Sequence, residues 1–157
     1  MAFEYTAPRQ LVELNQNIIF NDSFPCNSGD VYHENGTGVF LLKGRRNGCN
    51  CCCAKQAQYE VKFVGNIAIP TGGTAGPIAV ALSVDGNVIQ GTRAIVTPAA
   101  VEDFFNVSID KLVSIPNMCG CETISIVAVS GLVDDPTGTP APVIDLINGN
   151  LEITPER

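Results

Sequence analysis

Short runs in which apolar and polar residues alternate recur along this chain, separated by glycine, proline and asparagine. The clearest run covers residues 58–69, where Tyr59, Val61 and Phe63 occupy every second position. A period of two places these side chains on one face of a half-buried strand. The same reasoning, together with β-branched residues, predicts strands in six further regions: 11–20, 38–42, 78–84 with 88–90, 104–115, 123–129 and 143–153.

The segments between these runs carry turn chemistry. Asp85-Gly86 lies between two apolar runs and predicts a tight hairpin, because both central residues of that turn need positive φ. Residues 97–104 predict a single helical turn, with Thr97 as the cap and Pro98 at the first position. The Pro- and Asp-rich stretch at 134–142 is interpreted as a long inter-strand loop.

Strands without helices indicate an all-β protein. Seven to nine short strands fit a sandwich or a jelly roll. A chain of 157 residues suits one domain and can bury a core without disulfides, so we predict a single domain over 1–157.

The composition narrows the class of partner. Apolar residues make up 45% of the chain and charged residues only 16%, which indicates much surface buried internally or against partners. The net charge of −7 and the absence of a basic stripe argue against nucleic acid. No apolar run approaches the roughly 20 residues that cross a bilayer, so we expect no membrane insertion. The start of the sequence lacks the pattern of a classical signal peptide, and disulfides are expected to form after release from a reducing cytosol.

Catalytic chemistry has little support in the sequence. His33 is the one histidine and is interpreted as a polar residue beside a turn rather than a catalytic base. The glycine-rich stretch 72–76 lacks the Lys-Ser/Thr of a phosphate loop, and no serine lies in Gly-x-Ser-x-Gly. Asp134, Asp135 and Asp145 were weighed as calcium ligands, with turn chemistry favoured for the first two. The chain is therefore expected to be neither an enzyme nor a cofactor protein.

Cysteines are the exception, because they are clustered rather than scattered. The seven candidates for disulfide bonds are Cys26, Cys49, Cys51, Cys52, Cys53, Cys119 and Cys121. Disulfides, some of them between subunits, are one alternative, since an odd number leaves at least one thiol for a neighbour. A structural zinc ion is the second, with Cys49, Cys51, Cys53, Cys119 and Cys121 as candidate ligands. Reduced thiols are the third.

Several landmarks appear in an order that resembles the C1q/TNF-like jelly roll: Phe3-Glu4-Tyr5, Gly29-Asp30-Val31-Tyr32, Gly36-Thr37-Gly38-Val39-Phe40, Tyr59-Glu60-Val61-Lys62-Phe63 and the hairpin at 81–88. This resemblance implies an all-β antiparallel jelly-roll sandwich of about 8–10 short strands, as a single jelly-roll domain over 1–157, and a homotrimer. It also implies that the cysteine-rich insertion at about 43–57 is the B–C loop and that 131–142 is the G–H loop. Because loops after strands B, D and F leave one end of a jelly roll, we expect both cysteine clusters at that end.

The opening, residues 65–81 and residues 97–101 are also similar to small uncharacterised proteins of Firmicutes and their phages. That similarity implies a surface or virion component. The sequence thus predicts a non-enzymatic virion structural protein, a trimeric capsid-decorating or head-fibre-like subunit of a phage of Gram-positive bacteria. Its expected partners are two further copies and capsid or other surface-assembly proteins, and its expected location is the virion surface. The alternatives are a spore-coat or cell-surface structural protein and, in another class, a carbohydrate- or receptor-binding module.

Overall fold

A computed structural model describes residues 2–22, 30–44, 57–115, 121–131 and 143–156. These residues form twelve strands and one short 3-10 helix, Gln90–Thr92. The strands are β1 (Phe3–Ala7), β2 (Gln10–Val12), β3 (Asn21–Asp22), β4 (Val31–His33), β5 (Phe40–Lys43), β6 (Ala57–Ala68), β7 (Ile78–Val84), β8 (Asn87–Val88), β9 (Ala94–Val96), β10 (Phe105–Ile115), β11 (Cys121–Ser130) and β12 (Ile144–Glu156).

The strands form two antiparallel sheets that pack face to face. Sheet A has the order β10–β6–β12–β1–β3, and β2 adds to β12. Sheet B has the order β4–β5–β11–β7–β8, and β9 adds to β7. Consecutive strands such as β5 and β6, or β10 and β11, lie in different sheets, which is the arrangement of a jelly roll. The predicted all-β jelly-roll sandwich is confirmed.

The long strands follow their hydrophobic pattern. In β6, Tyr59, Val61 and Phe63 point inward and are almost fully buried, whereas Lys62 and Val64 point outward. Facing residues of the two sheets interdigitate to form the core. Phe20 packs edge-on against Phe40 and Phe63, with ring centroids 5.5 and 6.2 Å away.

Residues 13–20, here called the N-terminal strap, cross from sheet A to sheet B. Beyond β2 the chain turns at Asn15, whose φ is 64°, and its N–H donates to the Ala128 carbonyl at 2.7 Å. Ile18 donates to the Ile126 carbonyl at 2.8 Å, and the side chains of Ile18 and Phe20 are fully buried. The predicted single extended region at 11–20 is therefore wrong beyond Val12, because its apolar residues close the side of the sandwich instead of continuing a ladder.

Two turn predictions have different outcomes. The hairpin at Asp85-Gly86 is confirmed, with φ values of 50° and 80°. The helical turn at 97–104 is wrong: Glu102 adopts φ 58° and donates its N–H to the Ile69 carbonyl at 2.7 Å. The left-handed residue stops a right-handed turn from forming. No helix in the described part of the chain is long and apolar enough to cross a membrane.

Candidate functional site

One end of the sandwich carries the borders of two cysteine-rich segments. Lys43 at the end of β5 is paired with Cys121 at the start of β11. Ala57 at the start of β6 is paired with Ile115 at the end of β10. Lys43 and Ala57 flank the segment 45–56, and Ile115 and Cys121 flank the segment 116–120. The two strand pairs therefore bring the flanking residues of both segments to the same end of the sandwich.

Two further contacts hold this end together. The Tyr59 hydroxyl donates a hydrogen bond to the Lys43 carbonyl and lies 3.3 Å from the Asp30 carbonyl, which links sheet A to the end of β5. In sheet B, the Asp85 carboxylate accepts a hydrogen bond from the Thr123 N–H at 2.8 Å. The Asp85 N–H donates in turn to the Thr123 carbonyl at 2.8 Å. The tight β7–β8 hairpin is thereby fixed beside the first residues of β11.

Most of the predicted cysteine chemistry lies outside the described residues, namely Cys26, Cys49, Cys51, Cys52, Cys53 and Cys119. Cys121 is described: it is exposed and its thiol is free. Within the ranges given above, no three His, Cys, Asp or Glu side chains are grouped closely enough to hold a metal ion. The disulfide and zinc alternatives therefore remain predictions from the sequence.

The same end contains an acidic pair that sequence reasoning missed. Partial burial raises the pKa of Glu122 above its ordinary value, and repulsion from the Asp85 carboxylate raises the pKa further. Glu122 lies next to Cys121 in β11, opposite Leu42 of β5. Its charged form is therefore disfavoured in the folded protein.

His33 lies beside the turn at 35–36, as predicted, and its side chain is buried. Its ring stacks on Phe40, with centroids 4.1 Å apart and planes 12° apart, and meets Tyr5 edge-on at 5.1 Å. Its Nε2–H donates to the Thr37 carbonyl at 2.9 Å. The imidazole is thus part of an aromatic cluster at the edge of the core, which is a packing role.

Asp145 is also engaged. Its carboxylate is buried in β12 and receives two hydrogen bonds from Arg9, Nη2 to Oδ2 at 2.7 Å and Nε to Oδ1 at 3.3 Å. This bidentate pair fixes the start of the chain onto sheet A. Asp145, considered from the sequence as a possible calcium ligand, is thus engaged by Arg9, and Asp134 and Asp135 lie outside the described residues.

The outer face of sheet A is divided into an uncharged half and an acidic half. One row that crosses five of the six strands has only uncharged residues: Ser108, Val64, Asn150, Thr6 and Asn21. The adjacent outward-facing row lies two residues further along each strand. It consists of charged residues: Asp110, Lys62, Glu152 and Glu4.

Within the acidic half, Lys62 bonds to Glu60 at 3.1 Å. This bond, followed by the attraction of Glu60, raises the pKa of Lys62 above its ordinary value, and Asp110 and Glu152 add smaller contributions.

The outer face of sheet B is apolar at its centre, but that centre is already covered. Ala79 and Ala81 are fully buried, and Val127 and Val129 are only 6% and 7% exposed. By contrast, Val64 and Leu112 on the outer face of sheet A are 45% and 48% exposed. A partner that covered this part of sheet A would remove apolar area from water, whereas the centre of sheet B has little apolar area left to cover.

These sheets and their order define an antiparallel two-sheet jelly roll with its loops gathered at the two ends. The fold is that of C1q/TNF-like domains, as solved structures show. The globular domain of zebrafish complement 1qA matches with a TM-score of 0.57 at 11% identity, over 98% of this chain and 94% of that chain. The Eiger TNF of S. frugiperda matches with a TM-score of 0.60 at 7% identity, over 100% and 92%. Murine APRIL matches with a TM-score of 0.56 at 8% identity, over 97% and 95%.

At these identities the likeness establishes the fold and nothing more. No family model matches the sequence, and no curated protein matches it. The predicted resemblance to the C1q/TNF-like jelly roll is confirmed at the level of fold, whereas the similarity to proteins of Firmicutes and their phages stays a prediction.

Proposed function

We propose that this chain is a structural subunit that assembles as a homotrimer through the outer face of sheet A. The observation that carries the proposal is the uncharged row Ser108–Val64–Asn150–Thr6–Asn21, which crosses five strands. Its side chains are short, so that neighbouring copies can approach closely, and none of them has a charge to desolvate. Val64, on β6 next to the central strand β12, is the apolar residue of this row and remains 45% exposed in the single chain.

The proposed trimer has a specific electrostatic property. Glu4, Glu152 and Asp110 lie on the same face as the uncharged row, with Lys62 as their counter-charge. Bringing three copies together brings these carboxylates closer, and their repulsion is screened by salt. Association is therefore expected to strengthen as ionic strength rises.

The test is the mass in solution of the purified chain, measured by light scattering at micromolar concentration. We expect about three times the chain mass of 16.6 kDa. Val64→Asp places a carboxylate in the proposed interface and should give the single-chain mass. Ile95→Asp is the matched control, because Ile95 is similarly exposed on sheet B and its substitution should leave the trimer intact.

The salt dependence is a second test of the same proposal. Raising the salt from about 0.1 M to about 1 M, which shortens the Debye length from about 10 Å to about 3 Å, should tighten the trimer. A persistent single-chain mass at both salt concentrations would overturn the proposal.

We further propose that the trimer decorates a virion of a phage of Gram-positive bacteria, as a capsid-decorating or head-fibre-like subunit bound to capsid proteins. The support is the low content of charged residues, 16%, together with the resemblance to small phage and Firmicutes proteins, which is itself a prediction from the sequence. Quantitative mass spectrometry of purified virions, spores and host cytosol distinguishes the cases. Enrichment in virions is expected, and enrichment in spores or the cell envelope would favour the coat or cell-surface alternative.

A carbohydrate-binding module is the alternative from another class. Sugar rings stack on exposed aromatic side chains, but Tyr5 and Tyr59 are buried in the core and the chain has no tryptophan. Tyr32 is the one tyrosine with an exposed ring. Binding of glycans that Tyr32→Ala abolishes would favour this alternative.

A further inference from the structure

β10 differs from the other strands at the sheet edges because of its length. It spans eleven residues, whereas β3, β4, β8 and β9 have two or three. β10 pairs with β6 from Phe105 opposite Ile67 to Ile115 opposite Ala57. Among the described residues, no backbone hydrogen bond outside this ladder reaches β10. A long row of N–H and C=O groups on an edge is a template for a further strand.

The inward positions of β10 follow an apolar pattern with one interruption. Val107, Ile109, Val113 and Ile115 are inward and buried. The middle inward position is Lys111, which is exposed and faces the fully buried Val61 of β6. A fifth β-branched residue there would complete a continuous apolar edge of high strand propensity.

We propose that Lys111 prevents β10 from pairing with β10 of a second copy. In an antiparallel pair, residues that face each other point to the same side of the sheet. Lys111 can therefore meet only an inward residue of the second β10. If it meets Lys111, two ammonium groups repel each other. If it meets Ile109 or Val113, each ammonium group is enclosed among apolar side chains without a counter-charge.

This inference is independent of the proposed trimer, because it concerns the edge of sheet A and not its outer face. The neighbouring outward residue strengthens it. A pairing centred on Asp110 would place two carboxylates opposite each other, so both central residues of the strand disfavour symmetric pairing. The partner against which this edge is protected is thus a second copy of the same chain.

The test compares Lys111→Val with Lys62→Val in the full chain. Both changes remove one positive charge, and the two lysines lie on paired strands. Lys111 is on the edge strand β10, whereas Lys62 is on the outer face of the interior strand β6. The size distribution is followed by light scattering at a fixed concentration, and the folded state is followed by its melting transition. Lys111→Val should keep a cooperative transition and form species larger than wild type at least about tenfold faster. Lys62→Val removes a counter-charge from the proposed trimer face and is expected to weaken the trimer. Neither Lys62→Val nor Lys111→Glu, which retains a charge at the edge, should form species larger than those of wild type.

Two results would overturn the proposal. In the first, Lys111→Val has the size distribution of wild type. In the second, Lys62→Val forms large species as fast as Lys111→Val, which would show that net charge is responsible. If Lys111→Val loses its melting transition, Lys111→Thr is decisive, because threonine favours strands without adding a large apolar group. A folded Lys111→Thr that stays at the wild-type size contradicts the inference.

Discussion

At the scale of single residues, several polar groups in the described part of the chain have specific partners. Asp145 has Arg9, Tyr59 has the Lys43 carbonyl, and Asp85 has the Thr123 N–H. Such pairing is required because a buried polar group without a partner costs stability. Glu122 is the exception with a measurable consequence, because both its burial and its neighbour Asp85 oppose its charge.

Glu122 should make stability depend on pH in one direction. Its pKa is raised in the folded state above the ordinary value of 4.5, so the folded state holds the proton more tightly than the unfolded state. The resulting destabilisation is absent below 4.5 and grows as the pH rises through the raised pKa. Glu122→Gln should therefore melt at a higher temperature than wild type at pH 7. The difference should disappear in acid, and a difference that is independent of pH would show that charge is not its cause.

At the scale of elements, the long strands and the hairpin at Asp85-Gly86 were predictable, whereas the path of the N-terminal strap was not. The period-two patterns of β6, β7, β10 and β11 give the correct strands to within a few residues, because each strand buries one face or both. The same pattern-based reasoning fails for the N-terminal strap. Ile18 and Phe20 are apolar because they close the gap between two sheets, which is a property of the tertiary fold and leaves no local signal.

The functional residues show the same division. The cysteine clusters are visible in the sequence because they are adjacent in it. The pair of Arg9 and Asp145 is separated by 136 positions, and the pattern around either residue gives no indication of the other. The role proposed for Lys111 can be recognised only from the strand order, which places β10 at an edge of sheet A. Sequence reasoning therefore recovers the fold class. Which residues lie together on the outer face of a sheet can be derived only from the register of its strands.

Gly38 should be essential for closing the strap onto sheet B. A Cβ atom at this position would lie 2.6 Å from the Ile18 carbonyl oxygen and 2.7 Å from the Asn17 Cβ. Gly38→Ala must therefore displace backbone, and we expect a loss of about 1–3 kcal/mol in the free energy of unfolding, measured by chemical denaturation.

Gly76→Ala is the matched control for this prediction, because a Cβ there meets nothing within 4 Å. It should change stability by less than about 0.5 kcal/mol. Equal losses in the two variants would show that the close approach of the strap to Gly38 does not matter.

At the scale of the whole molecule, the jelly-roll order determines which distant segments share an end. The segments 45–56 and 116–120 are separated by the 59 residues 57–115, yet β5 pairs with β11 and β6 pairs with β10. The residues that border both segments are adjacent as a result. Together the two segments and the first residue of β11 contain six of the seven cysteines. The topology therefore places the residues that flank both cysteine-containing segments next to each other, which the sequence alone only suggested.

We predict that these cysteines stabilise the assembly as disulfides once it leaves the reducing cytosol. Short segments that start from common borders lose little entropy when they are joined, and a disulfide requires Cα atoms only about 4.4–6.8 Å apart. Each such bond typically contributes about 2–4 kcal/mol. Native assemblies are heated with reductant, with chelator and with neither. Reductant alone should lower the melting temperature by about 5–10 °C. A decrease with chelator alone would instead assign the thiolates to a metal ion. If neither reagent changes the melting temperature, the cysteines are ordinary loop residues and the prediction is wrong.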